Sequence, residues 1–368
     1  MNRLSSGIKG STKLAIVCLS FIRICGSIAY AQNFPLASQQ KISVSTAAEL
    51  LAAIKRANKS GHVEITLQNG RYETGQTLQI LKPHISLISA NKDPKTTQII
   101  GKGMRKTKGV DNIIRVAAPY FTLDGITLEQ SPNHIIQIAG EANADFPILR
   151  NCIIKDGYEQ LVKVSYNRNT GIASDGGLVE NCQFVYTAGI GPQYYIGGID
   201  AHGGQDWIVR NNYFSGIASP ENKIAEHAIH FWNNTQNITV TNNIIYNCDR
   251  GIGFGMPKRP NFGGLIENNL IVHNHHGHPN ADTGIILEES QGTQVINNRI
   301  YLAHSYPNSI EYRFAESTNI KIENNLSNKK IAQRNGGQAT LKDNIHSSDI
   351  SRILTMHEQQ QFGFDIKQ

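Results

Sequence analysis

Val240-Thr241-Asn242-Asn243 and Ile266-Glu267-Asn268-Asn269 are two copies of one short pattern that decides the fold. Each copy has an apolar residue, a polar residue and a pair that usually contains Asn, and apolar residues follow it. The pattern recurs at 149–153, 179–182, 209–212, 295–298 and 322–325, with weaker copies at 123–126 and 341–344. Consecutive copies are 19 to 31 residues apart, so we interpret each interval as one coil of a solenoid.

The segments between these copies predict β-strands. They are short β-rich runs separated by Gly, Asn and Asp, and they show no helical apolar period. Each coil is therefore expected to be a circuit of parallel strands. Asn suits the corner of a coil because it tolerates a left-handed backbone and because its amide reaches its copy one coil away.

The repeated Val/Ile-x-Asn-Asn-x-Ile/Phe motif, with Gly-Ile at the following strand, resembles the right-handed parallel β-helix repeat (PbH1) of pectate-lyase-like proteins across roughly residues 60–345. The resemblance implies an all-β fold, a single-stranded right-handed parallel β-helix with an N-terminal capping helix. For the reaction it implies less, because this fold carries lyases, hydrolases, epimerases and non-catalytic surface proteins.

Segments with other patterns flank the repeats. Thr46 and Glu49 form a capping box that opens an amphipathic helix, and Ser60-Gly61 ends it. We therefore predict a signal peptide (1–31), an N-terminal cap with a helix (32–62), the parallel β-helix (63–345) and a C-terminal cap or tail (346–368).

Composition and charge exclude several classes of protein. Of the 368 residues 39% are hydrophobic and 17% are charged, which excludes a disordered chain, and five Cys are too few for a disulfide scaffold. The formal charge is +6, but the first 31 residues contain four basic residues and no acid. The rest of the chain has 31 basic and 29 acidic residues. Its net charge of +2 is too small for the positively charged surface that nucleic-acid binding requires.

The first 31 residues predict a secretory signal. A cationic start is followed by the apolar run 14–22 and by Ala29-Tyr30-Ala31 before Gln32. That run has about half of the roughly 20 residues that an anchoring helix needs. We expect an exported protein, periplasmic or secreted, that begins near Gln32, is a monomer and has no integral membrane association.

Aligned strands predict a groove on one outward sheet. Alternation along the strands gives one outward column of Asp200, His230, Gly253, Ile286 and Glu311, and a second of His202, Trp232, Gly255, Glu288 and Arg313. Solvated faces normally hold Thr, Ser, Lys and Asn, whereas these columns hold imidazoles, acids and an indole. The glycines open a depression. The alternative is a stack of polar residues that only solvates the sheet.

Three of these residues, together with the nearby Arg250, are candidates for catalysis. His202 is the candidate for proton transfer, and Asp200 beside His230 forms either a carboxylate–imidazole pair that orients the imidazole or a purely structural pair. Arg250, at the mouth of the glycine-rich strand, is expected to bind a carboxylate, unless it pairs with Asp249 or Glu288.

Candidate substrate-binding residues flank the four catalytic candidates. Trp232 is expected to stack on a sugar face, against the alternative of ordinary surface packing. Glu288, Arg313 and His227 are expected to line the substrate. The partner is a polysaccharide or oligosaccharide rather than a nucleic acid.

The segment 273–278 has the composition of a metal site, with four His in six residues. A zinc site needs a fixed tetrahedron of ligands, which composition alone does not show. We expect no cofactor and no metal, although calcium-dependent lyases of this fold keep Ca²⁺ open. Cys152 and Cys182 share a repeat position on adjacent coils, where parallel Cβ vectors favour two thiols over a disulfide.

The reaction class follows from what each chemistry requires. A uronate lyase needs a cation that neutralises the carboxylate and a base that takes the α-proton, and Arg250 with His202 or His230 supplies both. The paired aspartates of polygalacturonase-like hydrolases are missing, and so is the Arg-His-Gly and Lys pattern of calcium-dependent lyases. A lyase on uronate polysaccharide is the first hypothesis. The alternatives are a non-catalytic glycan- or surface-binding protein, a glycoside hydrolase and an epimerase.

Overall fold

The computed structural model describes residues 39–109 and 111–364, so the predicted signal peptide lies outside the described residues. Within them the chain is a parallel β-solenoid, whose strands stack coil upon coil in three long sheets. This confirms the predicted all-β parallel fold. From Val63 to Arg334 the chain passes through sheet 1, sheet 2 and sheet 3 in that order in each coil; Gln40–Val44 precedes the helix as an extra strand of sheet 1, and the last coil ends in sheet 2.

The strands of each sheet have the following bounds, given in chain order. Sheet 1 contains Gln40–Val44, Val63–Leu67, Ile85–Ser89, Thr122–Asp124, Ile148–Arg150, Leu178–Glu180, Ile208–Arg210, Thr239–Thr241, Leu265–Glu267, Gln294–Ile296, Ile320–Glu323 and Ala339–Lys342. Sheet 2 contains Gly70–Glu73, Thr97–Ile100, Thr127–Ser131, Ile153–Gly157, Gln183–Val185, Tyr213–Ser215, Ile244–Tyr246, Leu270–His273, Arg299–Leu302, Leu326–Ser327 and Ile345–His346. Sheet 3 contains Leu78–Ile80, Ile114–Val116, Ile136–Ala139, Val162–Ser165, Ile199–His202, His227–Trp232, Arg250–Phe254, Ile285–Glu288, Asn308–Arg313 and Lys330–Arg334. A small fourth sheet contains Thr235–Gln236, Asn261–Phe262 and Ser290–Gln291.

A column of Asn side chains, the Asn ladder, runs along the corner between sheets 1 and 2, and all its members except the last are buried. Its members are Asn212, Asn243, Asn269, Asn298, Asn325 and Asn344. Each of the first five donates its Nδ2–H to Oδ1 of the next, over 2.9 to 3.0 Å. The residue before each member adopts the left-handed conformation, as at Asn242 and Asn268 with φ of 56°. In each pair the first residue therefore provides the left-handed backbone turn, and the second provides the side-chain amide that links neighbouring coils.

Cys152 and Cys182 extend this column toward the N-terminus. Both are buried free thiols, so the structure has the stacked arrangement rather than a disulfide. The backbone N–H of Cys152 lies 3.4 Å from Sγ of Cys182, and the N–H of Cys182 donates to Oδ1 of Asn212 over 2.8 Å. The two thiols thus occupy ladder positions.

Helices lie at both ends of the described chain. The helix Ala47–Ser60 begins at the capping residue Thr46, whose Oγ1 accepts the N–H of Glu49 over 3.2 Å, and it buries Leu50, Ala53, Ile54 and Ala57. The short helices Ile350–Ile353 and Met356–Gln361 follow the last coil. A 3₁₀ turn spans Gly140–Ala142.

The C-terminal helices pack on the outer face of sheet 2. Ile353, Leu354 and Phe362 form an apolar cluster with Leu270 and Val272 of that sheet. Of the helices within the described residues, none has the length and apolarity that crossing a bilayer requires.

Candidate functional site

The two outward columns of sheet 3 have the register that the strand alignment predicts. Asp200 pairs with His230, and His202 pairs with Trp232. The same columns continue to Glu311, which pairs with Ile286, and to Arg313, which pairs with Glu288. One coil before Asp200 the first column contains Lys163, which the sequence analysis did not include.

Asp200 is the centre of this arrangement. Its carboxylate forms an ion pair with Nζ of Lys163 and accepts the indole Nε1–H of Trp232 over 2.6 Å. Burial opposes its ionisation, but Lys163 and His202 outweigh burial and hold the pKa of Asp200 well below its usual range. Asp200 is therefore an ionised carboxylate whose side chain is only 4% exposed.

His202 lies between Lys163 and Asn233. Its Nε2 is 2.8 Å from Nζ of Lys163, and its Nδ1 is 3.0 Å from the amide of Asn233. An ammonium is only a donor, so we assign the lone pair to Nε2 and the proton to Nδ1. The atom of Asn233 placed 3.0 Å from Nδ1 is Nδ2, and this assignment exchanges the nitrogen and oxygen of that amide. Burial lowers the pKa of His202, and Asp200 partly offsets this. His202 is therefore neutral at pH 7, with a lone pair on Nε2.

Trp232 lies outward from the core, but its ring is covered. Only 8% of the residue is exposed. The ring of His230 stacks on it at a centroid distance of 5.3 Å, and the guanidinium of Arg259 lies 4.8 Å from the ring centre. The expected open stacking face for a sugar is therefore absent, because a turn after the next strand places Arg259 over the indole.

The arginines of the groove differ in their partners. Arg250 lies 3.6 Å from Asp282, which is neither of the two partners considered from the sequence. Arg313 donates to Glu288 over 2.7 Å, so these two predicted substrate-binding residues bind each other. Arg259 is half-buried and has no carboxylate within salt-bridge distance among the described residues. It is thus the cation beside His202 that is available to an anion.

His230 lies opposite Asp200 on the adjacent strand, but its ring nitrogen makes no hydrogen bond to that carboxylate. Its Nδ1 is 4.0 Å from Asp200 and 3.9 Å from Oε2 of Glu226, and its Nε2–H donates to the carbonyl of Gly255 over 3.1 Å. Burial lowers the pKa of His230 to about 4, so it is a neutral imidazole at pH 7. His227 is buried as well, with its ring against Gly253, and neither imidazole reaches the surface of the groove.

The His-rich segment 273–278 lies at the connection from sheet 2 to sheet 3. His273, His275, His276 and His278 line a cavity of about 390 Å³ together with residues of neighbouring coils. Nδ1 of His278 is 3.4 Å from Asp249, just before the strand Arg250–Phe254. The segment therefore flanks the groove without entering its centre.

Sequence reasoning missed three residues that contact the centre of the site. Lys163 occupies the Asp200 column one coil earlier, so extending the strand alignment by one coil would have found it. Asn233 directly follows a predicted strand. Arg259 belongs to a turn, and no periodicity marks it.

No protein-family model and no curated protein matches the chain. Among solved structures it is similar to a double mutant of the tailspike protein of E. coli bacteriophage HK620, with TM-score 0.55 and 13% identity. That match covers 83% of this chain and 62% of the tailspike chain. The catalytic unit of a GH87 α-1,3-glucanase from Streptomyces thermodiastaticus strain HF3-3 gives TM-score 0.53 and 11% identity, covering 85% and 65%.

An alginate lyase from Paenibacillus sp. str. FPU-7 is also similar, with TM-score 0.46, 15% identity, and coverage of 83% of this chain and 98% of the lyase. At their identities the tailspike and glucanase comparisons establish the β-solenoid fold alone. The chain spans less than two thirds of the length of the tailspike and glucanase chains that it matches.

Proposed function

We propose that this protein is an exported lyase that cleaves a uronate-containing polysaccharide in the groove of sheet 3. The observation that carries the proposal is the triad of accessible groups at its centre: the Nε2 lone pair of neutral His202, the ammonium of Lys163 2.8 Å away, and the guanidinium of Arg259. Side-chain exposures of 13% for Lys163 and 16% for His202 leave both open to a ligand, whereas Asp200 lies beneath them.

Each group has a role in β-elimination. Arg259 binds the uronate carboxylate and stabilises the charge that develops when C5 loses its proton. Nε2 of His202 takes that proton, the C5–H electrons form the C4=C5 double bond, and the C4–O4 bond breaks. Lys163 gives a proton to the leaving O4. The contact between His202 and Lys163 then returns the proton from imidazolium to amine and restores the site.

Other predicted residues have supporting roles in this proposal. Asp200 holds Lys163, and Trp232 holds Asp200 through its N–H donor. Arg250 and the Glu288–Arg313 pair lie further along the groove, where they are proposed to contact neighbouring sugar units. The carboxylate-binding role moves from Arg250 to Arg259 because Asp282 already faces Arg250.

A glycoside hydrolase is the second candidate, and one observation favours it. Glu226 and Asp200 lie 3.9 and 4.0 Å from the same Nδ1 of His230. The two carboxyl oxygens are thus at most about 8 Å apart, a bound that is compatible with the carboxyl separations of both inverting and retaining hydrolases. Burial and Asp200 raise the pKa of Glu226, as a general acid requires. However, Lys163 and Trp232 occupy both oxygens of Asp200, which leaves that carboxylate no position for a nucleophilic water.

The deciding experiment incubates the protein with alginate, pectate and glycosaminoglycans and measures near-ultraviolet absorbance from unsaturated ends. We expect product from one of these polymers, with His202→Ala and Arg259→Ala each reducing the rate at least 100-fold. Arg352→Ala, in a helix on sheet 2, is the matched control and should keep full activity. Reducing ends without unsaturation would establish the hydrolase, and binding without product would establish the non-catalytic protein.

The pH profile tests the role of His202 separately. A base that must be neutral loses activity as the pH falls through its pKa. Burial lowers the pKa of His202, as do the nearby charges of Lys163 and Arg259, while Asp200 opposes them. We therefore expect the acid limb of kcat/KM below pH 6.5, the ordinary histidine value. A limb at or above pH 6.5 that persists in His202→Ala would assign the base to another residue.

A further inference from the structure

We propose that Glu226, His227 and His230 bind one divalent transition-metal ion of the zinc type beneath the groove. This site uses none of the three groups assigned to elimination, and its existence does not depend on the proposed reaction. It also departs from the sequence expectation that the protein has no metal.

The three side chains already converge. One ligand atom from each, a carboxylate oxygen of Glu226 and a ring nitrogen of each His, lies within 4.8 Å of the other two. Two of the three come from one strand, His227–Trp232, and Glu226 directly precedes it. The imidazole rings are 4.3 Å apart between centroids. Small side-chain rotations bring three such atoms to the bond lengths of a Zn²⁺ ion, about 2.0 to 2.2 Å.

Unpartnered nitrogens provide the independent sign of a ligand. His227 is 3% exposed, and among residues 39–109 and 111–364 neither of its ring nitrogens has a hydrogen-bond partner. His230 is 2% exposed, and its Nδ1 has none either. Buried polar atoms are nearly always satisfied, so three unpaired nitrogens on two adjacent imidazoles need an explanation. A bound cation gives one.

His230 has the orientation of a metal ligand. Its Nε2–H donates to the carbonyl of Gly255, so the proton is on Nε2 and the lone pair is on Nδ1, which faces Glu226. A metal-bound imidazole typically donates its other N–H to a carbonyl or carboxylate in this way. The backbone thus fixes the tautomer that a cation requires.

Gly253 makes room for the second imidazole. A Cβ at this position would lie 2.7 Å from Nε2 of His227. Any larger residue on the facing strand would therefore displace the ring from Glu226. The glycine that the sequence analysis assigned to an open floor instead accommodates His227.

The donor set selects the class of metal. Two imidazole nitrogens and one carboxylate suit Zn²⁺ and its first-row neighbours, whereas Ca²⁺ and Mg²⁺ prefer oxygen ligands. The carboxylate of Asp200 lies 4.0 Å from His230, and its negative charge partly offsets the positive charge of Arg250 at this site. Three protein ligands leave a further coordination position, as in catalytic zinc sites.

The test titrates chelator-treated full-length protein with Co²⁺, followed by visible absorption, and with Zn²⁺ by calorimetry. We expect one equivalent of metal and Co²⁺ bands typical of four or five ligands. His227→Gln, His230→Gln and Glu226→Gln should each weaken binding at least tenfold. Gly253→Ala should also weaken it, because the methyl group displaces His227.

The matched control is the combined variant His275→Ala, His276→Ala and His278→Ala. If the proposal is right, this variant retains the wild-type Co²⁺ spectrum and affinity. Loss of binding in it would place the metal at the His-rich segment and overturn the proposal, as would the absence of any Co²⁺ band in the wild type. Glu226→Gln changes a partly exposed group, so it remains informative if a histidine variant fails to fold.

Discussion

Trp232 joins the buried base of the groove to its open surface. Its indole N–H donates to Asp200, one face stacks on His230, and Arg259 covers the ring. A single residue therefore fixes the positions of the Asp200 carboxylate below it and the Arg259 guanidinium above it. Its function in this environment is to position Asp200 and Arg259.

We predict that Trp232→Ala lowers the free energy of unfolding by about 3 to 5 kcal/mol, because it removes a buried ring and leaves the Asp200 carboxylate without a donor. Trp232→Phe keeps most of the packing and loses the donor alone, so it should cost about 1 to 3 kcal/mol. Urea denaturation measures both. An unchanged stability in Trp232→Ala would mean that the ring is a surface platform after all.

The site shows why the alignment of side chains on neighbouring strands was predictable from the sequence, whereas their burial was not. Alternation along a strand depends on local geometry, and it correctly aligned Asp200 with His230 and His202 with Trp232. Burial depends on what other coils place above the strand. Lys163 reaches the site from the preceding coil, where a longer strand alignment would have found it, whereas Arg259 comes from a turn that no local pattern marks.

At the scale of secondary-structure elements, the Asn pair at each corner has two separable functions. Asn268 provides the left-handed turn, and Asn269 provides the buried amide that links three coils. Because this element is short and repeats, the fold was predictable from the sequence. The two C-terminal helices have no repeat, and their placement on sheet 2 rather than at the end of the solenoid depends on packing against Leu270 and Val272.

The two roles of the Asn pair predict different losses in the free energy of unfolding when each residue is replaced. Asn269→Ala removes the oxygen that accepts both the backbone N–H and Nδ2–H of Asn243, so it should lower the free energy of unfolding by at least about 2 kcal/mol. Asn268→Ala should cost about 1 kcal/mol through backbone strain, and Asn268→Gly should cost less. Thermal denaturation of the three variants checks the order. Equal costs for Asn269→Ala and Asn268→Gly would contradict it.

At the scale of the whole molecule, buried neutral histidines make the solenoid sensitive to acid. Burial lowers the pKa of His134 and of His304 to about 4 and that of His273 to about 3. In the unfolded chain each titrates near 6.5, so the unfolded state binds more protons between these values. Stability is therefore fully present above about pH 6.5 and is lost as the pH falls toward 4.

We predict that lowering the pH from 7 to 5 reduces the free energy of unfolding by up to about 2 kcal/mol for each of these histidines. Chemical denaturation at several pH values measures the slope. A His304→Gln variant should show a smaller slope than the wild type, because it removes one of these buried neutral imidazoles. A stability that rises on acidification would refute the assignment of neutral buried imidazoles.

The Asn ladder has a consequence for how proteins of this design change in size. Its links join residues that are 31, 26, 29, 27 and 19 positions apart in the sequence. The hydrogen bonds between their side-chain amides nevertheless have the same length within 0.1 Å. The hydrogen bonds at this corner thus link neighbouring coils in the same way whatever the number of residues in the coil. A duplicated or deleted coil would reconnect without leaving an amide unpaired, so evolution is free to add or remove one coil at a time while the side chains of the other coils keep their contacts.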